Sequence, residues 1–306
     1  MNVLILGEPD SGKSNLLGML DVRWTTGAKA RVIRSKSNTK IKPITNTLLS
    51  GNVIDRSTGK HKTGIWHLGF NQKAFDLVLP EYTGEEFDKL KIDSPDKWDP
   101  EWHSRVEDSV ALILIIRPDK IEACLDIGNS HEQLSKLENI KTKKIKNKAQ
   151  QENVTSIPPM SRSDLNTMDL QYVDFLQHCL QVKNLKRRQQ QKLPLAVMLS
   201  CWDELSNLNT LTPKDKLKEL LPWLASYIEG AWHPNYVRVY GLSSLGDHGK
   251  NLVIATKNNE LTEEQKKSKN IFLTSLKEQG WLIMPDGAKE ADLTEPLAWF
   301  FESIEL

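Results

Sequence analysis

Eight residues near the start of the chain, Gly7-Glu8-Pro9-Asp10-Ser11-Gly12-Lys13-Ser14, have the types and spacing G-x-x-x-x-G-K-[ST]. Glycines let the backbone wrap closely enough to aim successive N–H groups at one anionic group. Lys13 brings a point charge to the outer phosphate oxygens, and the Ser14 hydroxyl is the hard oxygen ligand that Mg²⁺ accepts. Asn15 follows in the first turn of the expected helix, whose positive dipole end adds to the same field. With glycine at about 7% of residues, chance produces such a match in on the order of one chain in a hundred of this length. The segment predicts a cradle for the phosphates of a nucleoside triphosphate and its Mg²⁺.

Three later segments refine the chemistry. Pro80-Glu81-Tyr82-Thr83-Gly84-Glu85-Glu86 closes an expected strand over 74–79. Phosphate-loop GTPases place an acid there that holds Mg²⁺ through water, and three residues later a glycine whose N–H bonds the γ-phosphate. Glu81 and Gly84 stand at those places, with Glu for the usual Asp; one methylene longer, it still reaches a magnesium-bound water. Glu85 takes the position where Ras-like enzymes carry the Gln that orients the attacking water. Its carboxylate accepts from that water but lies near the γ-phosphate charge, so slow unassisted hydrolysis is expected. Thr45, in preference to Thr47, is the expected switch threonine and joins Ser14 and Glu81 in the metal set.

Ser200-Cys201-Trp202-Asp203 follows an expected strand over 195–199 and parallels [NT]-K-x-D. There the aspartate accepts from the base N1–H and N2–H₂, donors that guanine presents on that edge and adenine does not. Cys201 departs from the pattern. The lysine it replaces packs along the base and braces the phosphate loop, so weaker nucleotide affinity follows. The alternative for Asp203 is that it caps the next helix. After the last core strand, Gly241-Leu242-Ser243-Ser244-Leu245 is similar to the S-A-x loop whose backbone N–H bonds the guanine O6.

Elements must bring these segments together. The runs 2–6, 110–116, 195–199 and 236–240 read as buried strands, and 47–55, 64–70 and 74–79 as further strands. Helices are expected from Lys13, from Pro100 to about Glu107, after Thr212, over about 169–192, from about Leu261 to Gln279, and from Thr294. Alternation of strands and helices predicts an α/β three-layer P-loop NTPase fold, Ras-like, with a mainly parallel central sheet. One G domain over 1–306 is expected, with a helical, Lys-rich insertion at about 121–192 and a C-terminal helical extension from about residue 261. Residues 23–42 carry seven basic residues and no acidic one, and without either periodicity they read as a mobile basic loop.

Composition excludes little beyond this. In 306 residues, 41 Lys and Arg stand against 40 Asp and Glu, so net charge favours no polyanionic or polycationic partner class. The longest apolar run, 110–116, is too short to cross a bilayer, and a phosphate loop at Gly7 leaves no room for a leader peptide, so a cytoplasmic protein without a membrane span is expected. Cys124, Cys179 and Cys201 are scattered without metal-ligand spacing and read as reduced thiols. His61, His67, His103 and His131 show no metal spacing either. The basic stretches 23–42, 141–148 and 183–192 carry no nucleic-acid reading motif, and nucleic acid is not the expected partner.

On LILGEPDSGKSNLL, PEYTGEE, LSCWDEL, GLSSLG and the closing DLTEPLAWFF, the chain resembles TRAFAC-class GTPases, most of all the bacterial double-GTPase family. The likeness covers nearly the whole chain apart from 121–192. It implies binding and hydrolysis of GTP to GDP with Mg²⁺, and a switch that signals to a protein partner. It also implies frequent company of a second GTPase in bacterial conflict or defence systems. Arg23, Arg31 or Arg34 is the candidate for an arginine finger in cis. Two other readings stay open: a nucleotide-dependent scaffold with little hydrolysis, and an ATPase of the same fold.

Overall fold

Along β1 (Asn2–Gly7), Val3 and Ile5 enter one apolar cluster while Leu4 and Leu6 enter another, because successive strand side chains point to opposite faces of a sheet. The same alternation splits β5 (Ser109–Ile116) and β6 (Leu195–Ser200) between the two clusters. Strands buried on both faces need no polar residue, which explains their unbroken apolar runs. The computed structural model describes residues 2–35, 42–52, 64–80, 84–118, 121, 168–205, 211–247 and 262–304.

Among these residues the sheet has nine strands in the order β2-β3-β4-β1-β5-β6-β7-β8-β9. The centre, β4 (Lys73–Leu79), β1, β5, β6 and β7 (Val237–Ser243), is parallel. Antiparallel pairs extend both edges: β2 (Ile33–Arg34) and β3 (Gly64–Phe70) on one side, β8 (Trp281–Ile283) and β9 (Lys289–Glu290) on the other. Asn71 and Gln72, both at positive φ, make the tight turn between β3 and β4, the backbone shape that suits a two-residue hairpin.

One face of the sheet is covered by α1 (Lys13–Thr26), α2 (Lys42–Leu49), α9 (Glu263–Thr274) and α10 (Glu295–Ile304), through Leu17, Leu48, Phe272 and Phe300. The other carries α3 (Gly84–Ile92), α4 (Pro100–Asp108), α5 (Met168–Val182), α7 (Pro213–Leu220) and α8 (Pro222–Ala231), through Phe87, Trp102, Phe175, Leu217 and Leu224. The short α6 (Arg187–Gln190) leads into β6. This is the expected three-layer α/β sandwich with a mainly parallel sheet. The part of the 121–192 stretch that forms α5 belongs to the core, with Tyr172, Phe175, Leu176 and Cys179 all buried.

Four local expectations are corrected. Residues 47–49, expected to begin a strand over 47–55, belong to the helix Lys42–Leu49, and 53–55 lie outside the described residues: Ile44 and Leu48, one turn apart, face the first cluster, and α2 packs on α1. Residues 23–26 extend α1, and 27–35 are held by tertiary contacts that a mobile loop would lack. The helix expected up to Gln279 ends at Thr274. The hairpin of β8 and β9 was not expected, since three apolar residues between Gly280 and Met284 are too few to show a period.

Thr212, Pro213 and Asp215 do open a helix, through a capping box in which Thr212 Oγ1 accepts from the Asp215 N–H at 3.2 Å.

Candidate functional site

The carboxyl ends of the parallel strands gather the sequence-picked segments at one edge of the sheet, where open α/β sheets bind ligands. β1 runs out at Gly7, in register with Ile115 of β5. A Cβ on Gly7 would lie 2.4 Å from the Ile115 carbonyl oxygen, and its φ of 153° is one that L-residues avoid. Gly12 is left-handed, with φ 86°, and hands the chain to α1 without a capping side chain or an acid in the first turn. The helix end therefore keeps its positive field undiminished. Lys13 Nζ donates to the Gly7 and Glu8 carbonyls, at 2.7 and 2.5 Å, and to Ser11 Oγ. The ammonium thus spans the mouth of its own loop. Asn15 Oδ1, on the same first turn, is buried without a hydrogen-bond partner among the described residues.

Gly12 faces the Ser200 side chain here: a Cβ on Gly12 would be 3.7 Å from that of Ser200. Ser200 Oγ donates to the Ile116 carbonyl at 3.2 Å, fixing the end of β6 to the end of β5. Cys201 takes the left-handed region at φ 52°, and the 3-10 turn Trp202–Glu204 follows. Trp202 is buried against β7, where a Cβ on Gly241 would sit 2.4 Å from its indole. Asp203 lies half-buried inside this turn. The next helix, α7, is capped by Thr212 and not by Asp203. Ser243 ends β7 buried, with an Oγ that has no hydrogen-bond partner among the described residues, and Ser244 and Leu245 follow.

The metal and switch side is less complete. Gly84 opens α3 and Glu85 lies in its first turn, while Glu81 falls outside the described residues. Thr45 sits within α2, buried, its hydroxyl donating to Asp21 Oδ2 at 2.7 Å; Arg34 pairs with the same carboxylate. The structure thus brings Thr45 to α1. Among the described residues no group of three or more His, Cys, Asp or Glu is poised for a metal; of the expected set Ser14 and Thr45 are described and Glu81 is not.

Of the three arginines considered as fingers, Arg23 is buried and donates to the Gln279 and Gly280 carbonyls at 2.8 and 2.7 Å. Arg31 pairs with Glu302 and Arg34 with Asp21. Burial pulls both the Arg23 and Arg34 guanidinium groups below their ordinary range. All three are engaged with the protein's own frame.

The strand, phosphate loop and helix stand at the start of a stretch that matches a known family. The double-GTPase 1 family model matches residues 4–300. The chain belongs to that family. No match is found among curated proteins. Two solved structures are similar at 12% identity: Roco2 RocCORdC of Methanosarcina barkeri bound to GDP, with TM-score 0.30, and Sup35 complexed with GDP, with TM-score 0.31. They cover 90% and 79% of this chain. The chain spans about half of the first structure and about a third of the second, 49% and 36% of their lengths.

Within this double-GTPase, the structure adds two charged residues that sequence reasoning passed over. Lys91 of α3 is buried and donates to Glu8 Oε1 of the phosphate loop at 2.6 Å, with Asp88 at 3.0 Å. Its ammonium lies 5.5 Å from the Phe87 ring centre and 5.7 Å from that of Tyr172. Arg117, directly after β5, reaches the Asp10 carbonyl at 3.4 Å and the Glu204 carboxylate at 3.7 Å. Its place directly after β5 is the one sequence signal that Arg117 carries, the same that marks the segments after β1, β4, β6 and β7. Lys91 left no signal, since a helical lysine is ordinarily solvated.

Proposed function

We propose that the protein is a GTP-binding and GTP-hydrolysing switch, a single G domain that signals to a protein partner. The observation that carries this reading is the meeting of Gly7–Ser14, Ser200–Asp203 and Ser243–Leu245 at one sheet edge, with Gly12 and Ser200 in near contact. Gly7, Gly12, Lys13 and Ser14, with the loop residues between them, hold the phosphates, and Ser14 supplies a ligand to Mg²⁺. Asp203 accepts from the guanine edge, supported by Trp202, and the Ser243–Leu245 backbone serves the base carbonyl. Glu81 holds the metal through water, Gly84 senses the γ-phosphate and Glu85 faces the attacking water. Thr45 completes the metal set only by leaving Asp21, so ordering of α2 against the nucleotide is part of the proposed switch. The family resemblance suggests a second GTPase as partner, in a bacterial defence setting and in the cytoplasm.

The test is nucleotide competition against fluorescent mant-GDP, followed by single-turnover release of phosphate from GTP with Mg²⁺. GTP and GDP should displace the probe and ATP should not. Asp203→Asn should weaken guanine-nucleotide binding about 100-fold, the worth of a lost pair of charge-assisted bonds. Equal displacement by ATP refutes the assignment of Asp203. Binding without phosphate release, even with EDTA-reversible Mg²⁺ loading, refutes hydrolysis and leaves a nucleotide-dependent scaffold.

A further inference from the structure

We propose that Arg117 is a positioning residue that braces the phosphate loop against the base-side loop, in place of the lysine that Cys201 displaces. The inference rests on the nucleotide site proposed above. Three observations converge on it. Arg117 is the first residue beyond β5, the strand between β1 and β6, so its side chain stands where the loops after those strands meet. Its Nη1 donates to the Asp10 carbonyl in the phosphate loop at 3.4 Å, and its Nη2 lies 3.7 Å from Glu204 Oε2, one residue beyond Asp203. Cys201, at the place of the displaced lysine, has a side chain too short and too weak a donor to make the span.

The chemistry suits the task. Asp10 stands at φ 60°, a left-handed conformation that Asp tolerates better than most residues, and its carbonyl accepts from Arg117. Guanidinium is planar with five donors, so one arginine can serve a carbonyl on one side and a carboxylate on the other. Lysine offers a compact ammonium, better placed from within the base loop than across two loops. Moving the cation from the loop after β6 to the end of β5 therefore exchanges one donor type for the other. The side chain is 27% exposed, so the brace is partly shielded from water and salt.

The test is release of mant-GDP from the intact chain by stopped flow, with ligand-free melting followed in parallel. Arg117→Ala should speed release about tenfold while leaving the ligand-free melting temperature within a degree or so of the parent. Arg117→Lys should recover part of the loss. Cys201→Lys in the Arg117→Ala background should recover more, because it returns a cation to the loop that Arg117 serves. Glu204→Gln should speed release by a smaller factor. Unchanged release from Arg117→Ala, or no rescue by Cys201→Lys, overturns the brace. If Arg117→Ala does not fold, unchanged release from Glu204→Gln and Arg117→Lys overturns it instead. Failure of the parent chain to bind mant-GDP would refute the guanine-nucleotide site and the brace together, a result distinct from failure of the variants alone.

Discussion

Gly241 shows how a residue with no side chain can govern a site made by others. Trp202 fills the space where a Cβ would stand, so Asp203 keeps its place only while position 241 stays empty. Gly241→Ala should cost about 2 kcal/mol by overpacking and weaken mant-GDP binding with it, a pairing that melting and titration of the same sample will check. Cysteines offer a second probe. Burial pushes the Cys179 thiol far up, whereas Cys201 is half-buried directly after β6. Iodoacetamide followed by peptide mass mapping should modify Cys201 well before Cys179. GDP should slow the reaction at Cys201 and leave that at Cys179 unaltered; Cys201 reacting at the same rate with GDP would place the nucleotide elsewhere.

At the scale of elements, the contact between Glu8 and Lys91 ties α3 to the phosphate loop. Lys91 is nearly fully buried beside two aromatic rings, and Glu8 and Asp88 are the carboxylates that meet its ammonium. Glu8→Gln removes the negative charge from the shorter of those contacts. A cost of about 3 kcal/mol is expected, the low end for breaking a buried pair, because Asp88 remains. Hydrogen exchange should show the amides of α3 opening faster in that variant, and unchanged exchange there would mean that Lys91 holds α3 by packing alone. The basic stretch is the second lesson at this scale. Lys29 pairs with Glu290, Arg31 with Glu302, and the Arg31 N–H donates to Asp292 at 2.8 Å. What reads as an uncompensated run of positive charge finds acids more than 250 residues away for Lys29 and Arg31, and close by, at Asp21, for Arg34.

For the whole molecule, the C-terminal segment closes the first apolar cluster. Phe301 stacks on Phe70 of β3 and meets Phe75 of β4 edge-on, while Leu297, Trp299 and Phe300 join the residues of α1. Arg23 fastens α1 to the Gln279 and Gly280 carbonyls. Ending the chain before Glu295 would remove several buried side chains worth about 1.5–3 kcal/mol each, together more than the whole stability of a typical domain. Such a truncation should show no cooperative melting transition by circular dichroism, and a sharp one would separate α10 from the core. No helix among the described residues is long and apolar enough to cross a membrane.

Much of the site was legible in the amino-acid sequence, since phosphate binding needs particular residues at fixed spacing along one stretch of chain. Gly7, Gly12, Lys13 and Ser14 declare themselves because close backbone approach, charge and metal ligation each demand one residue type. The parallel strands were legible for a similar reason: burial on both faces leaves an unbroken apolar run. Tertiary structure decided what depends on neighbours distant in sequence. It turned residues 42–49 into a helix by offering α1 as a packing partner and folded 281–290 into a hairpin by offering the edge of β7. It also committed Arg23, Arg31 and Arg34 to the frame, and placed Arg117 and Lys91 beside the phosphate loop. An ion pair or a sheet edge has no sequence spacing of its own, because its partners meet only after the chain has folded.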